Sequence, residues 1–236
     1  MVDIYVYGDI GESLWGDDSS VSAAGFAKQL RDADGDDVTI HVNSVGGNVF
    51  DANTMSELVR AYKGRTTTSI EGIAASAASF FALTADSVVM NPSALLMIHN
   101  PYTSCYGNAD EMRKTADMLD KVRSTITGQY VRKTGMDESE VEKMMDAETW
   151  LDATEALDLG FVDSISDAAP IAARLTKEAV DRFKSAPDSL RAQLLGAGDT
   201  GASIDPSEPK AKAQGTEAGA EAAPRVVCIN GTFLKL

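Results

Sequence analysis

The residues Gly72-Ile73-Ala74-Ala75-Ser76-Ala77-Ala78-Ser79 join a predicted strand to a predicted helix. Residues 66–72 begin with the β-branched side chains typical of a strand, and residues 74–85 are rich in helix formers. Ser76 therefore stands at a helix N-terminus, where unpaired N–H groups and the helix dipole favour developing negative charge. This position suits a nucleophile that attacks a carbonyl carbon, with the N–H of Ala77 as an oxyanion donor. In the alternative interpretation Ser76 only caps the helix. Ser79 is the rival candidate for the nucleophile, but one turn later it is expected to pack inside the helix.

The sequence around this junction alternates short apolar runs with helical segments from residue 3 to about residue 165. That alternation predicts a layered α/β domain. The predicted strands cover residues 2–7, 38–42, 66–72, 87–90, 94–98 and 161–165. The predicted helices begin at Ser20 or Ser22, after the loop 43–48, near Ala74, at Asn108, at Asp137 and at Asp152. The helix that follows Asn108 is the longest and extends to about Thr134.

The chain contains two histidines, which lie in different settings. His99 ends an apolar run and precedes Asn100-Pro101, so it lies at a strand end where a side chain can face a cleft. A serine nucleophile needs a base that works near neutral pH, and histidine is the usual one. His41 alternates with the apolar residues of its strand, which indicates a structural or exposed residue.

Gly46-Gly47 lies after a predicted strand and before a predicted helix. Its backbone N–H groups are therefore candidates for binding an oxyanion or a substrate backbone. No lysine follows at the spacing of a phosphate-binding loop, and neither histidine has a second ligand at metal-site spacing. The sequence thus predicts neither a metal nor a cofactor.

The composition excludes several classes of protein. Hydrophobic residues make up 44% and charged residues 24%, as in soluble globular proteins. The 36 acidic residues outnumber the 21 basic ones, and the formal charge of -15 repels nucleic acids and anionic lipids. No apolar stretch is long enough to span a bilayer, and residues 1–7 read as a strand rather than a signal peptide. Two distant cysteines form no disulfide framework, so we expect a cytoplasmic protein without a membrane partner.

The composition changes after residue 167, which divides the chain into four parts. Residues 1–167 form the predicted catalytic domain, and residues 168–195 are a predicted helical extension. Residues 196–225 contain no aromatic residue, so we expect a flexible, acidic, low-complexity linker. Residues 226–236 place two β-rich runs around Asn230-Gly231, which predicts a hairpin.

Four motifs in this order resemble the Clp protease proteolytic subunit family over about residues 2 to 166. They are Asn43-Ser44-Val45-Gly46-Gly47, Gly72-Ile73-Ala74-Ala75-Ser76, Met97-Ile98-His99-Asn100-Pro101, and the segment from Trp150-Leu151 to Gly160-Phe161-Val162-Asp163. The resemblance implies a spiral of β-β-α units of the Clp protease and crotonase type, with a protruding long helix. It also implies a polypeptide substrate and stacked homo-oligomeric rings.

The same resemblance implies the catalytic roles. Ser76 is the expected nucleophile, His99 the general base, and Gly46 and Ala77 the oxyanion donors. The family usually has an aspartate as the third member of the triad, where a gapless match puts Glu148; Asp146 is the alternative. Val45 also replaces a proline that is usual in the family.

The first predicted strand starts almost at residue 1, without the extra N-terminal segment of family members that work with an ATPase. Together with the acidic tail, this resembles Clp-like proteases of phages and prophages, which implies processing of capsid or scaffold proteins in a bacterial or phage-infected cell. Three other interpretations stay open. They are an acyl-CoA enzyme of the crotonase type, a Ser–Lys dyad like that of signal peptide peptidases, and an inactive ring that scaffolds assembly.

Overall fold

The computed structural model describes residues 1–12, 20–167 and 182–187, and the backbone of residues 226–229 and 232–235. The strands are β1 (Val2–Ile10), β2 (Ser20–Val21), β3 (Val38–Gly47), β4 (Thr66–Ala75), β5 (Ser87–Met90), β6 (Leu95–Ile98), β7 (Thr149–Leu151), β8 (Ser164–Ile165), β9 (Val226–Ile229) and β10 (Thr232–Lys235). The helices are α1 (Ala23–Asp32), α2 (Val49–Arg60), α3 (Ala77–Ala82), α4 (Ala109–Thr134), α5 (Glu138–Asp146) and α6 (Ala153–Asp158).

The first eight strands form one sheet, in which six follow the order β2-β1-β3-β4-β5-β8 and all neighbours are parallel. β6 also pairs in parallel with β4, and β7 pairs antiparallel with β6. Parallel neighbours need crossover connections, and helices supply most of them. The predicted α/β class is therefore confirmed.

Strand β4 changes partner along its length. Its first half, residues 67–70, pairs with β5, and residues 73–75 pair with β6. The sheet therefore divides beside β4, and β6 continues past the end of β5 towards the C-terminal end of β4. This division brings the end of β6 next to the β4–α3 junction.

Two apolar clusters hold the domain together. The larger one lies between the sheet and the helices, where Phe26 of α1 meets Phe81 of α3 edge to face at 5.3 Å. The smaller one lies beside the β4–α3 junction and joins residues from β3, β4 and β6 to the segment 182–187; its buried members are Val45, Ile73, Ala75, Met97, Phe183 and Ala186.

Several element boundaries differ from the sequence prediction. The helix expected from about residue 74 begins at Ala77, because Ala74 and Ala75 are still paired with β6. The strand expected over residues 161–165 is reduced to Ser164–Ile165, and the three-residue strand β7 was not predicted. At Ala74 and Ala75, sheet pairing in a fully buried position outweighs the helix propensity of alanine.

The long helix α4 has the predicted limits. Asn108 and Glu111 form a reciprocal capping box at its start, and Gly135 ends it in a left-handed conformation. Its buried residues lie near its C-terminal end, whereas Met112 and Met118 near its start are 50% and 40% exposed. In the described part of the chain, no helix combines the length and apolar character needed to cross a membrane.

Part of the predicted C-terminal region lies outside the described residues. The helical extension 168–195, apart from residues 182–187, and the linker 196–225 lie outside the described residues. Strands β9 and β10 pair antiparallel, with Ile229 opposite Thr232 across Asn230-Gly231.

The end of β3 touches the β4–α3 junction at Gly46. This glycine has a φ of +93°, and a Cβ atom on it would lie 2.6 Å from the Ala75 carbonyl oxygen and 2.8 Å from the Ala77 nitrogen. Both neighbours are backbone atoms and cannot rotate away. Only glycine therefore allows β3 to approach the junction this closely.

We expect Gly46→Ala to destabilise the protein by at least about 2 kcal/mol, because the added methyl group combines an unfavourable φ with a backbone clash. Gly128→Ala is the matched control, since this helical glycine has no atom within 4 Å of an added Cβ. The control should raise the stability by up to about 1 kcal/mol. Urea unfolding measures both changes, and equal stability of Gly46→Ala and the parent would contradict the packing argument.

Candidate active site

Ser76 stands in a strained turn between β4 and α3. Its φ of 54° and ψ of −125° lie in a region that non-glycine residues seldom occupy. Ser76 holds the N-cap position, but its side chain makes no capping hydrogen bond to the described helix α3. The backbone N–H of Ser76 donates to the Met97 carbonyl at 3.0 Å, which ties the turn to β6. The conformation thus directs the hydroxyl away from the helix, unlike that of an ordinary capping serine.

His99 follows directly after β6 and reaches this hydroxyl. Its Nε2 atom lies 2.7 Å from the Ser76 Oγ atom, which is hydrogen-bonding distance. Tyr102 and Phe183 contact the imidazole edge to face, with ring centroids 5.6 Å and 5.8 Å away. Burial lowers the pKa of His99, and the negative charge of Glu148 acts in the opposite direction. The imidazole is therefore predominantly neutral at neutral pH and can accept a proton.

The pairing of β6 with β7 explains why Glu148 lies near His99. Ile98 is opposite Thr149 in this antiparallel pair, so the next position along each strand brings His99 and Glu148 together. Glu148 has a φ of 52°, and in the described chain only Asp34 and Ser76 are further non-glycine residues with positive φ. Two of these three strained residues therefore lie in one cluster, which is typical of functional sites.

The Glu148 carboxylate is bound by the segment 182–187. It accepts hydrogen bonds from the backbone N–H of Ser185 at 2.6 Å and from that of Lys184 at 3.1 Å, and the Ser185 hydroxyl lies 2.9 Å from it. Burial would raise the pKa of Glu148, but these hydrogen bonds outweigh it and lower the pKa. Among the described hydrogen bonds none joins Glu148 to His99, so the carboxylate acts on the imidazole through its charge.

Asp146, the alternative triad acid, lies in a helix rather than a strand. It is the last residue of α5, so its side chain does not follow the two-residue alternation of a strand. Its carboxylate accepts a hydrogen bond from Asn100 at 2.8 Å and pairs with Arg123 at 3.0 Å. Asp146 therefore links α4 and α5 to the residue after His99.

The two predicted oxyanion donors have different environments. Ala77 is the first residue of α3, and its nitrogen lies close to Gly46. The N–H of Gly46, however, donates to the Ser44 hydroxyl at 3.1 Å. The Asn48 N–H donates to the Ile10 carbonyl of β1, and the preceding Gly47 lines the cavity beside Ser76. Gly47 is therefore a second candidate for the donor position that the motif match gave to Gly46.

A cavity of about 350 Å³ opens beside Ser76 and His99. Its walls come from the β3–α2 connection, α3, α4, the loop after His99 and the segment 182–187, and they include Val45, Gly47, Asn48, Phe50, Ser76, Ala77, His99, Tyr102, Leu119, Ile126, Arg182 and Phe183. A cavity that combines apolar side chains with convergent polar groups is typical of a ligand site.

The remaining candidates have structural roles. The buried Ser79 hydroxyl bonds to the Ser76 carbonyl and to the Tyr130 hydroxyl, both at 2.6 Å. His41 bonds to Glu71 at 2.7 Å and to Asp3 at 3.2 Å, and the Glu71 bond raises its pKa. Among the described residues, no group of three or more His, Cys, Asp or Glu side chains could hold a metal ion.

Comparison with known proteins gives the relatives of this chain. A family model described as Clp protease matches residues 22–169. The ATP-dependent Clp protease proteolytic subunit 1 of Protochlamydia amoebophila is 31% identical over 128 residues, which are 52% of this chain and 62% of that protein. The corresponding subunit 2 of Treponema denticola is 30% identical over 131 residues, which are 55% of this chain and 66% of that protein. The matches thus span slightly less than two thirds of these two relatives.

A solved structure shows the same architecture. A ClpP1 mutant from Listeria monocytogenes superposes with a TM-score of 0.61 at 26% sequence identity. The superposition covers 70% of this chain and 91% of the other one. This similarity confirms the expected spiral fold, and the family model covers more than half of the residues. The chain therefore belongs to the Clp protease family.

Proposed function

We propose that this protein is a serine endopeptidase of the Clp protease type. The observation that carries the proposal is the 2.7 Å contact between Ser76 Oγ and His99 Nε2, made at a strained turn beside a cavity. A hydroxyl in contact with a neutral imidazole is the arrangement that activates a serine nucleophile. Membership of the Clp protease family supports the same reaction.

In the proposed reaction, Ser76 Oγ attacks the carbonyl carbon of a peptide bond while its proton passes to His99 Nε2. The oxyanion formed accepts hydrogen bonds from the N–H group of Ala77 and from that of Gly46 or Gly47, next to the N-terminus of α3. The imidazolium then returns the proton to the leaving amine, and an acyl-enzyme forms on Ser76. Water attacks this ester with His99 again as the base, which releases the acid and regenerates the hydroxyl.

Glu148 is the proposed third member of the triad. Its negative charge stabilises the imidazolium that forms during each proton transfer. Two observations support Glu148 over Asp146: its position opposite His99 in the β6–β7 pairing, and the pairing of Asp146 with Arg123.

The proposed substrate is a polypeptide, and a capsid or scaffold protein of a phage is the proposed natural one. The proposed working state is a homo-oligomer of stacked rings in the cytoplasm of a bacterial or phage-infected cell. Exposed apolar side chains on α4 support self-association, because an isolated helix in water would carry polar groups there. A crotonase-type enzyme has no need for a serine in contact with a histidine, which disfavours that alternative.

A fluorophosphonate probe tests the nucleophile. We expect the probe to modify Ser76, and Ser76→Ala to lose both labelling and peptide hydrolysis by at least about a thousandfold, since loss of a triad member has effects of this size. Mass mapping of the modified peptide identifies the residue. Labelling of Ser79, or an unlabelled parent protein, would contradict the proposed mechanism, and the second result would favour an inactive scaffold.

The pH dependence of kcat/KM tests the triad acid. Glu148→Gln removes the charge that raises the pKa of His99, so the pKa falls and the acid limb moves to lower pH. Its kcat should also fall strongly, whereas the control Asp146→Asn should change both quantities little. The opposite ranking of the two variants would assign the role to Asp146.

Light scattering tests self-association. We expect a mass several times the 25.0 kDa of one chain at micromolar concentration. Met112→Glu should shift the protein to smaller species by introducing a charge into the exposed apolar surface of α4, and Met112→Leu should not. If the parent protein shows only the mass of a single chain, the ring proposal is wrong.

A further inference from the structure

The segment 182–187 forms a strap across the candidate site, although it lies outside the residues that match the family model. Phe183 is buried in the small apolar cluster and contacts Trp150 edge to face at 5.5 Å. Arg182 pairs with Asp9 at 3.1 Å on the other side of the site. The strap is therefore held to the domain by contacts with both β1 and β7.

Ser185 makes the most contacts between the strap and Glu148. Its hydroxyl donates to the Glu148 backbone carbonyl at 2.7 Å and lies 2.9 Å from the carboxylate, while its backbone N–H lies 2.6 Å from the same carboxylate oxygen. One residue thus contacts both the main chain and the side chain of Glu148. These contacts hold a residue whose φ of 52° is unfavourable.

The strap borders the cavity without filling it. Arg182 and Phe183 line the cavity together with residues of α4, and the open volume still reaches Ser76 and His99. A segment that blocked the site would instead occupy this volume. The geometry is that of a supporting element which completes the site from one side.

We propose that Ser185 is a positioning residue that holds the Glu148 carboxylate beside His99, so that the strap is an integral part of the active site. This proposal rests on the proposed peptidase function, in which Glu148 acts on His99. Hydrogen bonds to a carboxylate are worth more than neutral ones, so their loss has a measurable effect. The donors also favour the ionised form of Glu148.

Kinetics of full-length variants provide the first test. Ser185→Ala should lower kcat by about tenfold or more for a short peptide with little change in KM, because it removes the hydroxyl that contacts both the main chain and the carboxylate of Glu148, a group that acts in the transition state. Ser185→Thr retains the hydroxyl and should recover most of the rate. Ser124→Ala, on the exposed surface of α4, is the matched control and should leave the rate unchanged. A rise in kcat for Ser185→Ala would overturn the proposal and identify the strap as an inhibitory element.

The two histidines allow a second test that does not depend on activity. Histidine NMR titration should show a lower pKa for His99 in Ser185→Ala and in Glu148→Ala, with His41 unchanged as the internal reference. Glu148 supplies the negative charge that acts on His99. Arg182, a positive charge of the strap, is paired with Asp9 and is the same in all these variants. In the Glu148→Ala background, Ser185→Ala should produce no further shift, because the group it positions is already absent.

The two tests separate the failure of each proposal. If the parent protein hydrolyses peptides but Ser185→Ala changes neither kcat nor the His99 pKa, the positioning role is wrong and the peptidase function stands. If the NMR shift occurs while the parent neither reacts with the fluorophosphonate probe nor cleaves peptides, the peptidase function is wrong. An increased pKa of His99 in Ser185→Ala would also reject positioning, since the released carboxylate would then move towards the imidazole.

Discussion

The change of partner along β4 is the constraint on which the candidate site depends. Because β4 leaves β5 after residue 70 and pairs with β6 from residue 73, the end of β6 lies beside the turn at Ser76. The break occurs next to Glu71, which His41 and Tyr7 hold by hydrogen bonds on the sheet. The contact between serine and histidine therefore follows from backbone pairing rather than from flexible loops. Such a contact is already formed before substrate binds, which reduces the cost of reaching a reactive geometry.

The electrostatics of His99 are a balance between burial and charge. Burial alone lowers its pKa and keeps it neutral, which favours proton acceptance but disfavours the imidazolium that follows. A nearby carboxylate stabilises the imidazolium by its negative charge, and it forms no ion pair while the imidazole is neutral. Glu148 meets this requirement because hydrogen bonds from the strap lower its pKa and keep it ionised. The strap thus acts on the proposed base, His99, through the proposed acid, Glu148.

The sequence predicted those features that have a local physical cause. Helix starts at Asn108 and Asp152 were predictable because each residue caps its helix and is followed by a glutamate that completes the capping box. The order of motifs brought Ser76 and His99 into one hypothesis. The gapless motif match favoured Glu148 over Asp146, but the positions of the two carboxylates depend on the register of a three-residue strand and on α5 extending to Asp146, which no local pattern encodes. The roles of Phe183 and Ser185 depend on tertiary contacts that no local pattern encodes.

The use of glutamate and the presence of the strap have a common explanation. Glutamate has one more rotatable bond than the aspartate usual in the family, so fixing its carboxylate costs more conformational entropy, up to about 2 kcal/mol for a long polar side chain. Charge-assisted hydrogen bonds contribute about 1.5–3 kcal/mol each and can offset that cost. Lys184 and Ser185 provide such bonds to both carboxylate oxygens. In the proposed triad, Glu148 is therefore held in place by residues outside the family-matched region, whereas a shorter aspartate would need less support because it has fewer rotatable bonds.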